Sequence, residues 1–270
     1  VLGGVSTEIP YKVVGYELDM IIWLPLAGLM AAGVGLIIAP LAVRLKGLNL
    51  ALVSIGIVYI GSYILANLNL VTGGAGLGRK TAGYTLLGFN FAEGLDIAGL
   101  VLTRNQVLYY LGLLIALFSG IGVKNLLRSK IGRAYAAIRD RDIAAEAIGI
   151  NLARFKASAF ALSSFYAGIA GALMFSTIGG VDVERFGLYF SVTFIAIVVI
   201  GGVGTVMGPI FGSVFFGLLP GIIKFGIDHS ILMRESLPLN AAQLERIIFG
   251  FLIIGFLIFE PRGLWGIWFR

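Results

Sequence analysis

The chain has 270 residues, 59% of them hydrophobic and only 13% charged, with a mean hydropathy of +0.99 and a formal charge of +6. Soluble domains carry about 45–50% apolar residues and about 25% charge, so a water-soluble enzyme, a nucleic-acid binder and a disordered segment are excluded. With no cysteine and a single histidine, His229, disulfide frameworks, thiolate or multi-histidine metal sites and cysteine nucleophiles drop out as well.

A bilayer core of about 30 Å takes about 20 apolar residues in helical form, so uncharged runs read directly as spans. Met20 to Val43 predicts the first helix, and Gly47 to Gly78 a second over 47–66 that leaves through the polar stretch Asn67 to Gly74. Gly73-Gly74-Ala75-Gly76-Leu77-Gly78-Arg79-Lys80-Thr81 imitates a phosphate loop. That pattern needs lysine directly after its second glycine, a strand before it and a helix after it; here Arg79 intervenes and a span precedes, so the segment reads as an exit turn. Asn105 to Val123 and Ala157 to Val181 predict the third and fourth spans. Phe186 to Ile223 is too long for one helix and carries Gly201-Gly202-Val203-Gly204-Thr205-Val206-Met207-Gly208-Pro209, which no uninterrupted helix favours. It predicts two spans meeting at a break, either a tight inner turn or an unwound stretch near a pathway. Ile247 to Phe259 is short, but becomes a seventh span if the helix begins near Leu239 with Glu245 and Arg246 against protein or snorkelling. The expected fold is an all-α transmembrane bundle of about seven spans, a single domain over 1–270.

The charges orient this bundle. The segment 124–156 holds Lys124, Arg128, Lys130, Arg133, Arg139, Arg141, Arg154 and Lys156 against Asp140, Asp142 and Glu146. Placed in the cytoplasm, it brings Arg44, Lys46, Arg262 and Arg270 to the same side. Twelve basic and four acidic residues then lie inside, and the remaining eight basic and ten acidic outside, in agreement with the positive-inside rule. The N-terminus is expected outside and the C-terminus inside, and the odd span count predicts an upstream helix beyond Val1.

The spans contain almost no ionisable group, which argues against an ion-coupled carrier and against an intramembrane enzyme, since both need charge, nucleophiles or metal ligands at depth. A solute mover of this kind draws its energy from a partner. In the basic loop, Asp140 and Asp142 can cap a short helix, Ile143 to Ile148 offers a small apolar face, Gly149 supplies a left-handed stop and Asn151 caps the next span. Such an element can enter a groove on a soluble partner. The competing reading is a basic loop resting on anionic headgroups.

Ile131-Gly132-Arg133-Ala134-Tyr135-Ala136-Ala137-Ile138-Arg139-Asp140, continuing through Ile143 to Asn151 and Arg154-Phe155-Lys156, closely resembles the cytoplasmic loop of ABC-importer permeases for branched-chain amino acids, of the M type. Arg44-Leu45-Lys46-Gly47-Leu48, Thr72-Gly73-Gly74, Ala167 to Leu173, Gly201 to Thr205 with Gly208-Pro209, and Glu260-Pro261-Arg262-Gly263-Leu264 extend the resemblance over about 44–266. It implies a multi-pass subunit of a bacterial or archaeal inner membrane, working with a second related permease, two ATPases and an extracytoplasmic solute-binding protein. Membrane lipid surrounds it, and ATP and Mg bind the ATPases rather than this chain. The resemblance implies leucine, isoleucine or valine as cargo, with urea, short amides or another small neutral solute as the alternative. It places ATPase coupling on Arg133, Arg139, Asp140, Arg141, Ala144, Ala145, Glu146 and Gly149. Ala144-Ala145-Glu146 departs from the permease signature, in which Glu-Ala-Ala precedes a glycine, so Glu146 is not given the signature glutamate's role.

No residue is read as catalytic or as a metal ligand. Ser54, Tyr59, Thr193, Gly201, Gly202 and Gly204 are the candidates for lining a pathway; Asn49, Ser62, Ser163 and Ser164 are weaker ones, because hydroxyls in spans mostly bond back to their own helix. Gly208 with Gly212, Gly217 with Gly221, and Gly168, Gly171 and Ala172 are read as close-packing positions.

Overall fold

The computed structural model describes residues 19–45, 48–68, 84–86, 88–92, 94–97, 100–180 and 186–229, with isolated positions 247, 250, 251, 254, 255, 263 and 266. Its long helices fall where the uncharged runs place them: α1 over Met20–Arg44, α2 over Leu48–Asn67, α3 over Arg104–Arg128, α6 over Leu152–Ile178, α7 over Leu188–Gly201 and α8 over Met207–His229. Between α3 and α6 lie two shorter helices, α4 over Lys130–Asp140 and α5 over Asp142–Ala147. The seventh predicted span lies outside the described residues, apart from helical Ile247, Gly250, Phe251, Ile254 and Gly255. The imitation phosphate loop lies wholly outside them.

Met20–Leu41, Arg104–Arg128 and Leu152–Ile178 are each long and apolar enough to cross a membrane. Their surfaces bear this out. In α3 only Val107 and Leu108 are buried, and the one buried residue of α6 is a serine, Ser176. An apolar helix that exposes its leucines, as α3 does at Leu113, Leu114 and Leu117, or that buries only a serine, as α6 does, is solvated by hydrocarbon rather than by water. The described residues thus form a helical membrane protein.

The chain divides into two compact units, Val1–Leu188 and Tyr189–Arg270. In the first, α1 and α6 cross with backbones close together: a Cβ added at Gly28 would meet Phe165, one at Gly35 would meet Ser164, and one at Gly168 would meet Ala31 and the Ala27 carbonyl. The pairing 28 with 168 and 35 with 164 makes the helices antiparallel. α3 joins them through a buried cluster of Met20, Trp23, Leu24, Val107 and Leu108, against which Ala172 and Leu173 pack. The start of α1, the start of α3 and the end of α6 therefore share one end of the unit.

That end is covered by structure the helical expectation lacked. Strands β1 (Thr85–Leu86) and β2 (Phe89–Asn90) pair antiparallel, as do β3 (Leu95–Ile97) and β4 (Leu100–Leu102). Tyr84 and Phe91, at the base of the first ribbon, enter the cluster edge to face, 5.7 Å between ring centroids, and the Tyr84 hydroxyl donates to the Ser176 carbonyl at 2.9 Å. Two- and three-residue strands carry too little alternation to be read from sequence. Thr103 and Gln106 then start α3 with a capping box.

In the second unit, α7 and α8 form a helical hairpin. A Cβ on Gly201 would run into the Gly208 carbonyl, one on Gly208 into the Gly202 carbonyl, and one on Gly212 into the Ile197 carbonyl. The pairs 201 with 208 and 197 with 212 run in opposite directions, so the break is a tight reversal between two packed helices. Of the other expected packing glycines, Gly171, Gly217 and Gly221 have open space around them.

Candidate functional site

At the other end of the first unit, α3 stops and the chain refolds in a short distance. The Ser129 hydroxyl donates to the Leu126 carbonyl at 2.6 Å and accepts from the amides of Ile131 and Gly132 at 3.2 and 3.4 Å, so one side chain ends α3 and caps α4. Gly132 sits so close to the Leu127 backbone that no Cβ fits there. α4 is amphipathic. Gly132, Ala134 and Ile138 are buried, while Lys130, Arg133 and Arg139 face out.

The chain turns again at Arg141, whose extended backbone (φ −155°, ψ 103°) separates α4 from α5. This corrects one expectation. Asp140 ends α4 and pairs with the adjacent Arg139 at 3.2 Å on the open surface, instead of capping the next helix. Asp142 is the first residue of α5 and reaches forward to Lys156 on α6, Oδ2 to Nζ 2.7 Å, with both side chains about three-quarters buried. The local pattern Asp-Arg-Asp allowed either carboxylate to cap; the tertiary position of Lys156 takes one of them.

α5 ends as predicted. Gly149 has φ +86°, the Ile150 amide donates to the Ala145 carbonyl at 3.0 Å, and the Gly149 amide donates to the Glu146 carbonyl at 2.9 Å. Those two bonds are the Schellman pair, which needs a left-handed residue at this position. Asn151 follows as the cap of α6, its side chain accepting from the Arg154 amide at 3.1 Å. A second brace is illegible in sequence: the Tyr135 and Ser158 hydroxyls are hydrogen-bonded at 2.9 Å, and the Tyr135 ring meets Phe155 edge to face at 6.0 Å. Twenty-three residues separate Tyr135 from Ser158, and no local pattern announces such a pair.

The product is a braced elbow. Ala145 is buried against it, whereas Ala144 and Glu146 are exposed and the side chains of Ile143 and Ile148 stand out at 82% and 75% exposure. Around them Arg133, Arg139, Arg141 and Arg154 are exposed as well. Two bare isoleucines set among arginines on a rigid support form a surface suited to an apolar, acid-lined groove.

The pathway candidates are placed one by one. Ser54 and Tyr59 stand exposed on α2 in the first unit. In the second unit the Thr193 hydroxyl donates back to the Tyr189 carbonyl at 2.9 Å, Gly201 and Gly202 are buried in the hairpin, and Gly204 forms its exposed turn at φ +83°. Thr205 ties that turn, its hydroxyl donating to the Gly202 carbonyl and accepting from the Gly208 amide at 3.1 and 3.0 Å. Gly263, from the Glu260–Leu264 motif, packs directly on the Gly202 backbone. Two separately recognised motifs thus meet at one point.

Comparison with known proteins identifies the family of the chain. Residues 3–257 match the family described as branched-chain amino acid transport system / permease component. The high-affinity branched-chain amino acid transport system permease proteins LivM of Escherichia coli (strain K12) and Salmonella typhimurium (strain LT2) are each 30% identical over 92% of this chain. The chain spans 58% of the length of those relatives. No solved structure matches it. The match over nearly the whole chain, on apolar helices, makes it a member of the branched-chain amino acid transport permease family.

Proposed function

We propose that this chain, read as one permease domain over 1–270, is the membrane-spanning subunit of an ATP-driven importer of branched-chain amino acids. In that assembly it pairs with a second related permease, two ATPases and an extracytoplasmic binding protein. The observation that carries the reading is the braced elbow of 129–151. A segment that transmits force must be rigid at both ends and apolar at its tip, and capping at Ser129 and Asn151, the Asp142–Lys156 pair and exposed Ile143 and Ile148 supply both. The ATPase-coupling role then falls on Arg133, Arg139, Asp140, Arg141, Ala144, Ala145, Glu146 and Gly149. ATP and Mg are held by the ATPases, which carry the hydrolysis.

The orientation, N-terminus out and C-terminus in across seven spans, is supported by two features. Arg44, Arg128, Arg154 and Lys156 stand at the end of the first unit opposite the strand-covered end. Gly263 lies against the 202–206 turn, as expected if the hairpin turn and the C-terminal motif share the inner side. The α7 helix, 14 residues or about 21 Å, is shorter than a 30 Å hydrocarbon core. This supports a hairpin whose turn stays within the inner half of the membrane without crossing it fully, where Gly201, Gly202 and Gly204, with Thr193, would contact cargo by backbone and hydroxyl groups; on the first unit Ser54 and Tyr59 of α2 are the pathway candidates.

Reconstitution of the full assembly in proteoliposomes tests the reading. Leucine uptake is expected to require ATP and to resist competition by urea. Uptake by this chain alone, indifferent to ATP, overturns it, and competition by urea moves the cargo to small amides. Reversing Arg139 and Arg141 to glutamate is expected to abolish copurification of the ATPases while the spans keep their thermal stability.

A further inference from the structure

The strand-covered end of the first unit holds a cavity that transport of amino acids does not use. It encloses about 220 Å³ and is lined by Met20, Ile21, Leu24 and Pro25 of α1, Leu86 of β1, Leu111, Leu114 and Ile115 of α3, and Ile169 of α6. Every lining side chain is apolar, so neither the carboxylate nor the ammonium of an amino acid has a partner there. An apolar cavity of 150 Å³ already takes benzene from water. This one opens sideways, for Ile21 and Leu114 are each about half exposed on helices whose outer faces meet hydrocarbon. Its natural occupant is an acyl chain.

A second observation says what that chain is attached to. Arg104 begins α3, and its guanidinium lies over the Tyr84 ring, 5.1 Å from the centroid, with no carboxylate partner among the described residues. Residues 104, 111 and 115 fall on one stripe of a 3.6-residue helix. Arg104 stands about 10 Å along the axis from Leu111 at 1.5 Å per residue. Each polar headgroup layer is about 5–7 Å thick, so a phosphate held at Arg104 puts the first carbons of its tails at the cavity mouth. Tyr84 joins the two halves, since β1, which carries Leu86, begins directly after it. We propose that this end binds one phospholipid, with its phosphate on Arg104 and one acyl chain between α1, α3, α6 and β1.

Native mass spectrometry of the intact membrane protein, titrated with palmitoyl-oleoyl phosphatidylglycerol, tests this directly. One lipid is expected to be retained. Arg104→Gln should lower that retention about fivefold, and Leu111→Trp, which fills the cavity, by at least as much. Leu117→Trp, on the exposed side of α3, should leave it unchanged. Dioleoylglycerol is expected to be held more weakly than the phospholipid and inorganic phosphate not at all. Equal retention by all three variants would reduce the lipid to general solvation of the surface, and tight phosphate binding without lipid would make this an anion site; either result overturns the proposal. Should Leu111→Trp fail to fold, Arg104→Gln, whose site is partly exposed, carries the test alone.

Discussion

Single residues decide whether the elbow is stiff. Gly149 holds a left-handed backbone at φ +86°, where a Cβ costs roughly 1 kcal/mol. Gly149→Ala is therefore expected to loosen the end of α5 and lower ATP-coupled uptake several-fold while the membrane assembly stays intact, measured as transport per ATP hydrolysed. The Asp142–Lys156 pair is about three-quarters buried, so it should exceed a fully exposed pair; we expect about 1 kcal/mol in a double-mutant cycle of thermal unfolding with Asp142→Asn and Lys156→Met. A coupling energy of zero would remove it as a brace. Arg139–Asp140, two-thirds exposed, is expected to contribute nothing measurable. At the opposite end the indole Nε1 of Trp23 is buried without an acceptor among the described residues. Trp23→Phe removes a donor that already lacks its bond, so we expect little loss of stability and a stable fold in detergent.

Elements add a constraint that residues do not carry alone. The α7–α8 hairpin closes because Gly201, Gly208 and Gly212 let the two backbones touch, and in lipid such packing replaces the hydrophobic drive available in water. Gly208→Val should prevent closure and cost about 1–3 kcal/mol or more, read as lost expression and a lowered Tm. Gly217→Ala and Gly221→Ala, where nothing lies within reach of an added Cβ, should be neutral or slightly stabilising, since alanine is the better helix former. The contrast between identical Gly-x-x-x-Gly spacings is the test: equal effects at 208 and 217 would refute the packing account. The spacing itself was readable in the sequence, but which of the two pairs meets a backbone was not.

At the largest scale, the decisive property is the separation of the two ends of the first unit. The natural absence of cysteine permits a clean measurement: Ile143→Cys should react with a membrane-impermeant maleimide only from the cytoplasmic side, and Phe89→Cys, on the exposed face of β2, only from outside. Labelling of both from one side would contradict the orientation. Because hydrophobic length dictates which segments insert, the placing of the long helices was legible in the linear chain. The helix ends at Met20, Leu48 and Arg104 and the break after Gly201 follow from where charge stops and glycine gathers.

Local chemistry also announced Gly149 as a helix stop and Asn151 as a cap, because both act through their own neighbouring backbone. What the sequence could not contain is partnership over distance. Asp142 takes Lys156, Tyr135 takes Ser158, Gly263 meets Gly202, and Arg104 shares a stripe with an apolar cavity only once α1, α3 and α6 are side by side. Insertion into a membrane is governed by composition along the chain, and the sequence determines it. The elbow, the hairpin closure and the cavity depend on which backbones approach one another, and only the tertiary structure decides that.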